Sequence, residues 1–253
     1  MPRLTVIASG KGGVGKTCLA IGLAQGLAEG GARTALVDGD LGLANVDVQL
    51  GVTPARDLGH VLAGACTVEQ ALTPHPAGFA LLPGRSGAAG LAALGGAGLD
   101  RLVGLLRALP VEEVVLDLGA GLAPAQRRLA AAADVLLVVV TEEPTALTDA
   151  YAVLKLHRQD SRGANGGGRA ALVANMVQGA AQAARVHGAL DAACRNFLGA
   201  GVPLLGFIRR DAKVPAAIRA QAPLLTRHPT SPAAEDLRAL AAALRGLPLG
   251  KAA

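Results

Sequence analysis

Short apolar runs alternate along this chain with longer segments in which apolar residues recur every three or four positions. The first pattern predicts strands and the second predicts amphipathic helices. The predicted strands cover residues 3–8, 33–38, 79–84, 112–118, 134–140, 170–177 and 203–208. The predicted helices cover residues 17–29, 56–64, 67–72, 99–109, 123–133, 145–158 and 180–198, with two more to the end of the chain. Residues 86–98 and 160–169 are predicted to be glycine-rich connections.

Alternation of this kind is typical of a mostly parallel sheet with helices on both faces. We therefore predict a doubly wound α/β fold and a single domain that spans residues 1–253. In such folds, ligands bind beyond the carboxyl ends of the strands. The residues that follow each predicted strand are accordingly the candidates for function.

The first strand leads into the stretch GKGGVGKT, residues 10–17, which fits the pattern G-x-x-x-x-G-K-[ST]. A strand before it and a helix after it are the context that indicates a phosphate-binding loop. Backbone N–H groups and the helix dipole would hold the phosphates. Lys16 would contact the β- and γ-phosphates, and Thr17 would ligate Mg²⁺. The predicted nucleotide-binding residues of this segment are Gly10, Lys11, Gly12, Gly13, Val14, Gly15, Lys16, Thr17 and Cys18.

Three carboxylates follow other predicted strands. Asp40 is expected to orient the water that attacks the γ-phosphate, whereas Asp38 is expected to be a structural or outer-shell partner of Mg²⁺. Asp117 ends an apolar strand and is expected to hold Mg²⁺. The predicted metal residues are thus Thr17, Asp38, Asp40 and Asp117. An Asp-Gly turn for the first pair and a helix cap for Asp117 are the alternative interpretations.

Polar residues after the last two strands are candidates for contact with the base. Asn175 offers both a donor and an acceptor to an adenine edge, although a turn at the strand end would also explain it. Arg209 and Asp211 lie where they could complete that pocket. The N-K-x-D motif that reads guanine is absent from the sequence, which favours ATP over GTP.

Composition narrows the remaining possibilities. The chain is 51% hydrophobic but only 2% aromatic, so its core must consist of Ala, Leu and Val. Its three cysteines have no metal or redox spacing and are expected to be reduced, as in a cytosolic protein. The net charge of +5 is not clustered, so we predict no specific nucleic-acid binding. We expect no signal peptide and no membrane-spanning segment.

With its first lysine, the stretch GKGGVGKT resembles the deviant phosphate loop of the MinD/ParA class of ATPases. In that class this lysine, here Lys11, crosses to the partner subunit and contacts the nucleotide held there. The resemblance implies a homodimer with ATP and Mg²⁺ between its subunits, in which Lys11, Lys16 and Asp40 serve catalysis. It also implies slow, partner-regulated hydrolysis of ATP to ADP.

Two further stretches, LGLANVDVQLG and EPTALTDAYAVLK, resemble the FlhG/FleN family of flagellar-number regulators. This likeness covers nearly the whole chain and implies a role in flagellar number, placement or gene expression. The implied partners are a flagellar GTPase of the signal-recognition type, flagellar switch components or a flagellar transcription activator. A MinD-type division regulator and a ParA-type partition protein are the alternatives.

Some positions depart from the family pattern. Gly39 stands where Ala is common and Leu118 where Thr or Ser is usual, and the stretch IRRD, residues 208–211, lacks the proline common in that base-binding loop. Relatives carry a C-terminal helix that binds membranes. Here residues 232–246 are predicted to form a helix whose leucine stripe either packs into the core or binds lipid weakly. The expected location is the cytoplasm, with the inner face of the cell membrane as the alternative.

Overall fold

The computed structural model describes residues 1–40, 43–84, 94–161 and 169–248. Its strands are β1 (Arg3–Ala8), β2 (Thr34–Asp38), β3 (Thr73–Pro74), β4 (Ala80–Leu82), β5 (Glu113–Asp117), β6 (Val135–Val140), β7 (Arg169–Val177) and β8 (Leu204–Arg209). Its helices are α1 (Lys16–Glu29), α2 (Val46–Leu50), α3 (Leu58–Leu62), α4 (Val68–Ala71), α5 (Gly95–Arg107), α6 (Pro124–Ala131), α7 (Pro144–Ser161), α8 (Ala180–Leu198), α9 (Lys213–Arg219), α10 (Leu224–Arg227) and α11 (Pro232–Gly246).

The strands form one sheet in the order β3-β4-β2-β5-β1-β6-β7-β8. Every neighbouring pair is parallel except β3 with β4, which is antiparallel. Strands β1, β5 and β6 lie at the centre and are buried throughout, because helices cover both faces. The predicted doubly wound, mostly parallel fold is confirmed.

The elements differ from the predictions at a few places. The short helix α2 and the two-residue strand β3 were not predicted, and three helices rather than two follow β8 in the described part of the chain. Helix α5 begins at Gly95, inside the predicted connection 86–98. Most of that connection, and most of the predicted connection 160–169, lies outside the described residues.

Small aliphatic side chains fill the core, as the composition indicates. Phe79 is the only Phe or Tyr that is buried among the described residues. All three cysteines are free. No described helix combines the length and the apolarity that crossing a bilayer requires.

Helix α11 packs against α1 and β8, and its bounds match the predicted helix 232–246. Leu237, Leu240 and Leu244 of its stripe are at most 3% exposed, while Leu247 is half-buried. Gly22 of α1 gives Leu237 the space it occupies, since a Cβ at this glycine would collide with the leucine side chain. The leucine stripe is thus a core-packing face in this structure.

Two buried or half-buried arginines hold this helix in place. The Arg3 guanidinium binds the Glu113 carboxylate and donates to the Leu244 carbonyl oxygen at 2.7 Å. Arg209 pairs with Asp236 at 2.8 Å. The last helix is consequently tied to β1, β5 and β8 by polar contacts as well as by its leucines.

Candidate functional site

The loop between β1 and α1 lies at the carboxyl edge of the sheet, where the central strands end. Gly13 and Gly15 have φ angles of 79° and 90°, a left-handed conformation that glycine adopts without strain. Gly10 packs against Asp149 of α7, and a Cβ there would meet the Asp149 backbone at 2.7–2.8 Å. The sequence GKGGVGKT therefore folds here because its glycines permit both the turn and the close packing.

A cavity of about 1020 Å³ opens beside this loop. It is walled by the loop, the start of α1, the residues after β2 and β5, the end of β7, and the segment from β8 to α10. Among the predicted site residues, those that line it are Gly12, Gly13, Gly15, Lys16, Thr17, Cys18, Asp40, Asp117, Asn175, Arg209 and Asp211. Those that do not are Gly10, Lys11, Val14 and Asp38.

The two lysines of the loop occupy different environments. Lys16 is 9% exposed, and its ammonium donates to the Ser9 hydroxyl at 2.9 Å. Burial lowers its pKa, while the charges of Asp117 and Asp40 act in the opposite direction. Lys11 points to the surface at the start of α7, where its ammonium binds the Glu143 carboxylate at 2.5 Å and the Thr145 hydroxyl at 3.0 Å. Only Lys16 therefore faces the cavity of its own chain.

Strand register brings two of the predicted carboxylates together. Asp38 and Asp117 are paired residues of β2 and β5, and both are almost fully buried. Burial raises the pKa of Asp38 to about 6 and that of Asp117 to about 7; the Asp38 charge also raises the latter, and a hydrogen bond from Thr17 opposes it. The carboxyl groups of Asp38 and Asp117 therefore take up protons as the pH falls through the neutral range, which reduces the negative charge beside the cavity.

Asp38 orders the loop that carries Asp40. Its carboxylate accepts hydrogen bonds from the backbone amides of Asp40, Asn45 and Val46 at 3.0–3.1 Å. With both oxygens engaged in this way, its predicted contact with a metal would be indirect.

Asp40 itself packs against Gly119 in the loop after β5. A Cβ at Gly119 would come within 3.0–3.1 Å of the Asp40 carboxylate. The loops after β2 and β5 are therefore in contact through Asp40, and a side chain at position 119 would displace it.

Asp117 and Thr17 fit a magnesium ion. The Thr17 hydroxyl lies near enough to the Asp117 carboxylate to lower the pKa of that group, and Asp117 Oδ1 is buried without a hydrogen-bond partner. In the described ranges, no group of three or more His, Cys, Asp or Glu side chains could hold a metal by itself. A site formed by Thr17 and Asp117 suits Mg²⁺, which binds through one or two protein ligands together with phosphates and water.

The predicted base-contacting residues make structural contacts in this structure. Asn175 donates from Nδ2 to the Val14 carbonyl oxygen at 2.7 Å and accepts at Oδ1 from the Met176 amide at 2.9 Å. It supports the phosphate loop from β7, at a register shift where Met176 has a φ of 59°. Each end of the amide keeps one further hydrogen-bonding position, so a contact with adenine stays a prediction.

Arg209 and Asp211 connect the loop after β8 to α11. The Arg209 guanidinium is engaged by Asp236 and Glu235. The Asp211 carboxylate accepts from the backbone amides of Lys213 at 2.8 Å and Ala233 at 3.2 Å. Their predicted contacts with a nucleotide would require these bonds to be shared or exchanged.

Several residues near the cavity were missed by sequence reasoning. Ser9 holds the Lys16 ammonium, and its position directly before the loop was the only available signal. Gln126 of α6 lines the cavity, but nothing in the sequence distinguishes it from an exposed helix residue.

Cys18, which was predicted to lie beside the nucleotide, lines the cavity and bonds Gln49 at 3.3 Å. Burial raises the pKa of its thiol to about 11.

Known proteins resemble this chain in sequence and in fold. The chain is 34% identical over 252 residues to the antiactivator FleN of Pseudomonas aeruginosa. This alignment covers 98% of this chain and 88% of that protein. The chain is also 35% identical over 179 residues to the flagellum site-determining protein YlxH of Helicobacter pylori. That alignment covers 69% of this chain and 58% of that protein.

Among solved structures, the septum site-determining protein MinD complexed with Mg-ADP from Pyrococcus horikoshii superimposes with a TM-score of 0.80. The two are 25% identical in sequence, and the match covers 97% of each chain. The family of CobQ/CobB/MinD/ParA nucleotide binding domains matches residues 5–224. With its phosphate loop at the carboxyl edge of a parallel sheet, this chain belongs to the CobQ/CobB/MinD/ParA nucleotide-binding family.

Proposed function

We propose that this protein is an ATP-driven switch that dimerises around its nucleotide and controls flagellar number, placement or gene expression. The observation that carries the proposal is the separation of the two lysines. Lys16 is buried in the cavity of its own chain, whereas the Lys11 ammonium lies outside that cavity on the surface. A surface lysine on the phosphate loop is placed to reach a nucleotide held by a second subunit.

The chemistry assigned to the cavity is hydrolysis of the γ-phosphate of ATP. Backbone amides of the loop and the Lys16 ammonium bind and neutralise the phosphates. Thr17 and Asp117 hold Mg²⁺, which supplies further positive charge to the phosphates. Asp40 orients the attacking water, and Lys11 of a second copy stabilises the charge that develops, much as an arginine finger does.

The equilibrium between monomer and dimer would then depend on whether ATP or ADP is bound. Lys11 has to leave Glu143 and Thr145 before it can cross to another subunit, and the γ-phosphate is the anion that attracts it. Hydrolysis removes that anion, and Lys11 returns to its own chain. This cycle gives an ATP-bound dimer and an ADP-bound monomer, which is the output of a switch.

The name of one relative supports a flagellar output, and the name of a second supports an output in gene expression. FleN is named an antiactivator and YlxH a flagellum site-determining protein. We accordingly propose a flagellar transcription activator, switch components or a flagellar GTPase of the signal-recognition type as partners. We place the protein in the cytoplasm, with the α11 stripe kept in the core rather than in a lipid surface.

Three substitutions test the switch. Lys16→Ala should abolish ATP binding, because the backbone donors alone must then hold the phosphates. Lys11→Ala should bind ATP as a monomer and fail to hydrolyse it. Asp40→Ala should form an ATP-bound dimer that persists. Lys155→Ala, an exposed lysine of α7, is the control and should resemble the wild type.

The readouts are equilibrium ATP binding, size-exclusion chromatography with ATP and phosphate release. If Lys11→Ala dimerises and hydrolyses ATP at the wild-type rate, Lys11 does not act in a second subunit. The proposed switch would then be wrong, even if Lys16→Ala confirmed the nucleotide site.

A further inference from the structure

Gln126 lies in the first turn of α6, directly after the loop that follows β5. It lines the nucleotide cavity together with Asp40 and Gly119. None of the roles assigned so far involves this side chain. Helix α6 thus brings one neutral amide to the wall of the cavity in which the γ-phosphate chemistry is proposed.

The Gln126 side chain is incompletely bonded inside the protein. Its Oε1 atom is buried and has no hydrogen-bond partner. Leaving a buried polar atom without a partner destabilises a fold. Among the described residues of this cavity wall, the other such atom is Asp117 Oδ1, which the fit to Mg²⁺ explains. The unpartnered oxygen of Gln126 is therefore free to accept a hydrogen bond from a ligand.

Two ion pairs tether the outer face of α6, the helix that carries Gln126. Arg127 binds Asp160 through two hydrogen bonds of 2.6 and 2.9 Å. Arg128 binds Asp100 in the same bidentate manner, also at 2.6 and 2.9 Å. Paired bonds of this kind constrain orientation as well as distance. The helix is therefore held from outside while Gln126 stays on the cavity side.

An attacking water needs more than one acceptor. When one of its lone pairs is directed at phosphorus, both of its O–H groups point elsewhere, and each is stabilised by an acceptor. Asp40 provides one acceptor in the proposed function. We propose that Gln126 is a second water-positioning residue, whose carbonyl oxygen accepts from the water while its NH₂ group donates to a γ-phosphate oxygen.

The reaction balances without a proton on Gln126. The water oxygen forms a bond to the γ-phosphorus as the bond to the β–γ bridging oxygen breaks, and that electron pair leaves with ADP. The proton released by the water passes to Asp40 or to the phosphate product. Gln126 orients the water and stays neutral throughout.

This inference rests on the proposed function, and Gln126→Met tests it. Methionine keeps the length of the side chain and removes the amide. Since it also removes an unpartnered buried oxygen, the nucleotide-free variant should melt at the wild-type temperature or above it. ATP binding and dimerisation should persist, with KM little changed, while kcat falls roughly ten- to a hundred-fold.

Gln126→Glu distinguishes orientation of the water from packing. Its protonated form has one acceptor and one donor, as glutamine does, while its ionised form repels the γ-phosphate. Relative to the wild type, kcat of this variant should rise as the pH falls. Gln159→Met, on an exposed glutamine of α7, is the matched control and should leave kcat unchanged.

Two results would overturn the inference. One is wild-type kcat in Gln126→Met; the other is a lower melting temperature together with loss of ATP binding, which would indicate a structural role. Asp40→Ala is measured in parallel. If that variant hydrolyses ATP normally, the water assignment in the proposed function fails; if it is inactive while Gln126→Met is normal, only the role of Gln126 fails.

Discussion

The buried carboxyl group of Asp117 should make the nucleotide-free protein less stable as the pH rises. Its pKa is raised from 3.8 to about 7, mainly by burial. Between these two values the folded state keeps a proton that the unfolded state releases. The contribution of this carboxyl group to the free energy of unfolding is therefore fully present below about pH 4. It is lost progressively as the pH rises toward 7.

The size of the effect follows from the shift. One pKa unit corresponds to about 1.4 kcal/mol, so the full change from 3.8 to about 7 corresponds to roughly 4 kcal/mol. Roughly 2.5 kcal/mol of this is lost between pH 5 and pH 8. Asp117→Asn removes the titration. The stability of this variant relative to the wild type should therefore increase by that amount over the same interval.

Thermal melts of the nucleotide-free protein in EDTA at pH 5 and pH 8 measure this difference. For a chain of this size, it corresponds to about 5–10 °C in the relative melting temperature. Asp100→Asn is the control, because the exposed Asp100 has its pKa lowered by Arg128 and stays ionised at both pH values. The reasoning would be refuted if the difference in melting temperature between Asp117→Asn and the wild type were the same at pH 5 as at pH 8.

Two further substitutions test contacts around the cavity. Glu143→Gln frees Lys11 from its ion pair, so at low salt an Asp40→Ala background should dimerise with ATP at a few-fold lower protein concentration by analytical ultracentrifugation. Gly119→Ala places a methyl group 3.0 Å from the Asp40 carboxylate, so phosphate release should slow about ten-fold while ATP binding persists.

Both experiments have matched controls. Glu142→Gln removes an equal charge next to Glu143, but Glu142 accepts a hydrogen bond from Gln182 and does not contact Lys11, so the dimer should be unaffected. A weaker dimer in Glu143→Gln would mean that Glu143 contacts the partner instead of restraining Lys11. Gly104→Ala adds a methyl group in open space on α5 and should keep full activity. Wild-type turnover in Gly119→Ala would show that Asp40 tolerates the displacement.

The sequence by itself determined the class of fold and the position of the phosphate loop. Apolar periodicity separates strands from helices because side chains repeat every two residues in a strand and every 3.6 in a helix. The spacing of glycines and Lys16 between β1 and α1 is equally local, since the loop binds phosphate through its own backbone. Such features depend on residues close together in the chain, so they can be read without the fold.

Tertiary structure decided which distant residues meet. Register placed Asp38 beside Asp117, and packing buried the stripe of α11 that the sequence left open between core and lipid. Asn175 supports the phosphate loop from a strand 161 positions away, a pairing that no local pattern encodes.

The two lysines of the loop show the same division within a single motif. Their spacing is visible in the sequence, but their surroundings come from other segments. Glu143 and Thr145 hold Lys11 at the surface, while Ser9 and the carboxylates after β2 and β5 surround Lys16. Burial and charge depend on what the whole chain packs around a residue, and for that physical reason only the folded structure separated the two lysines.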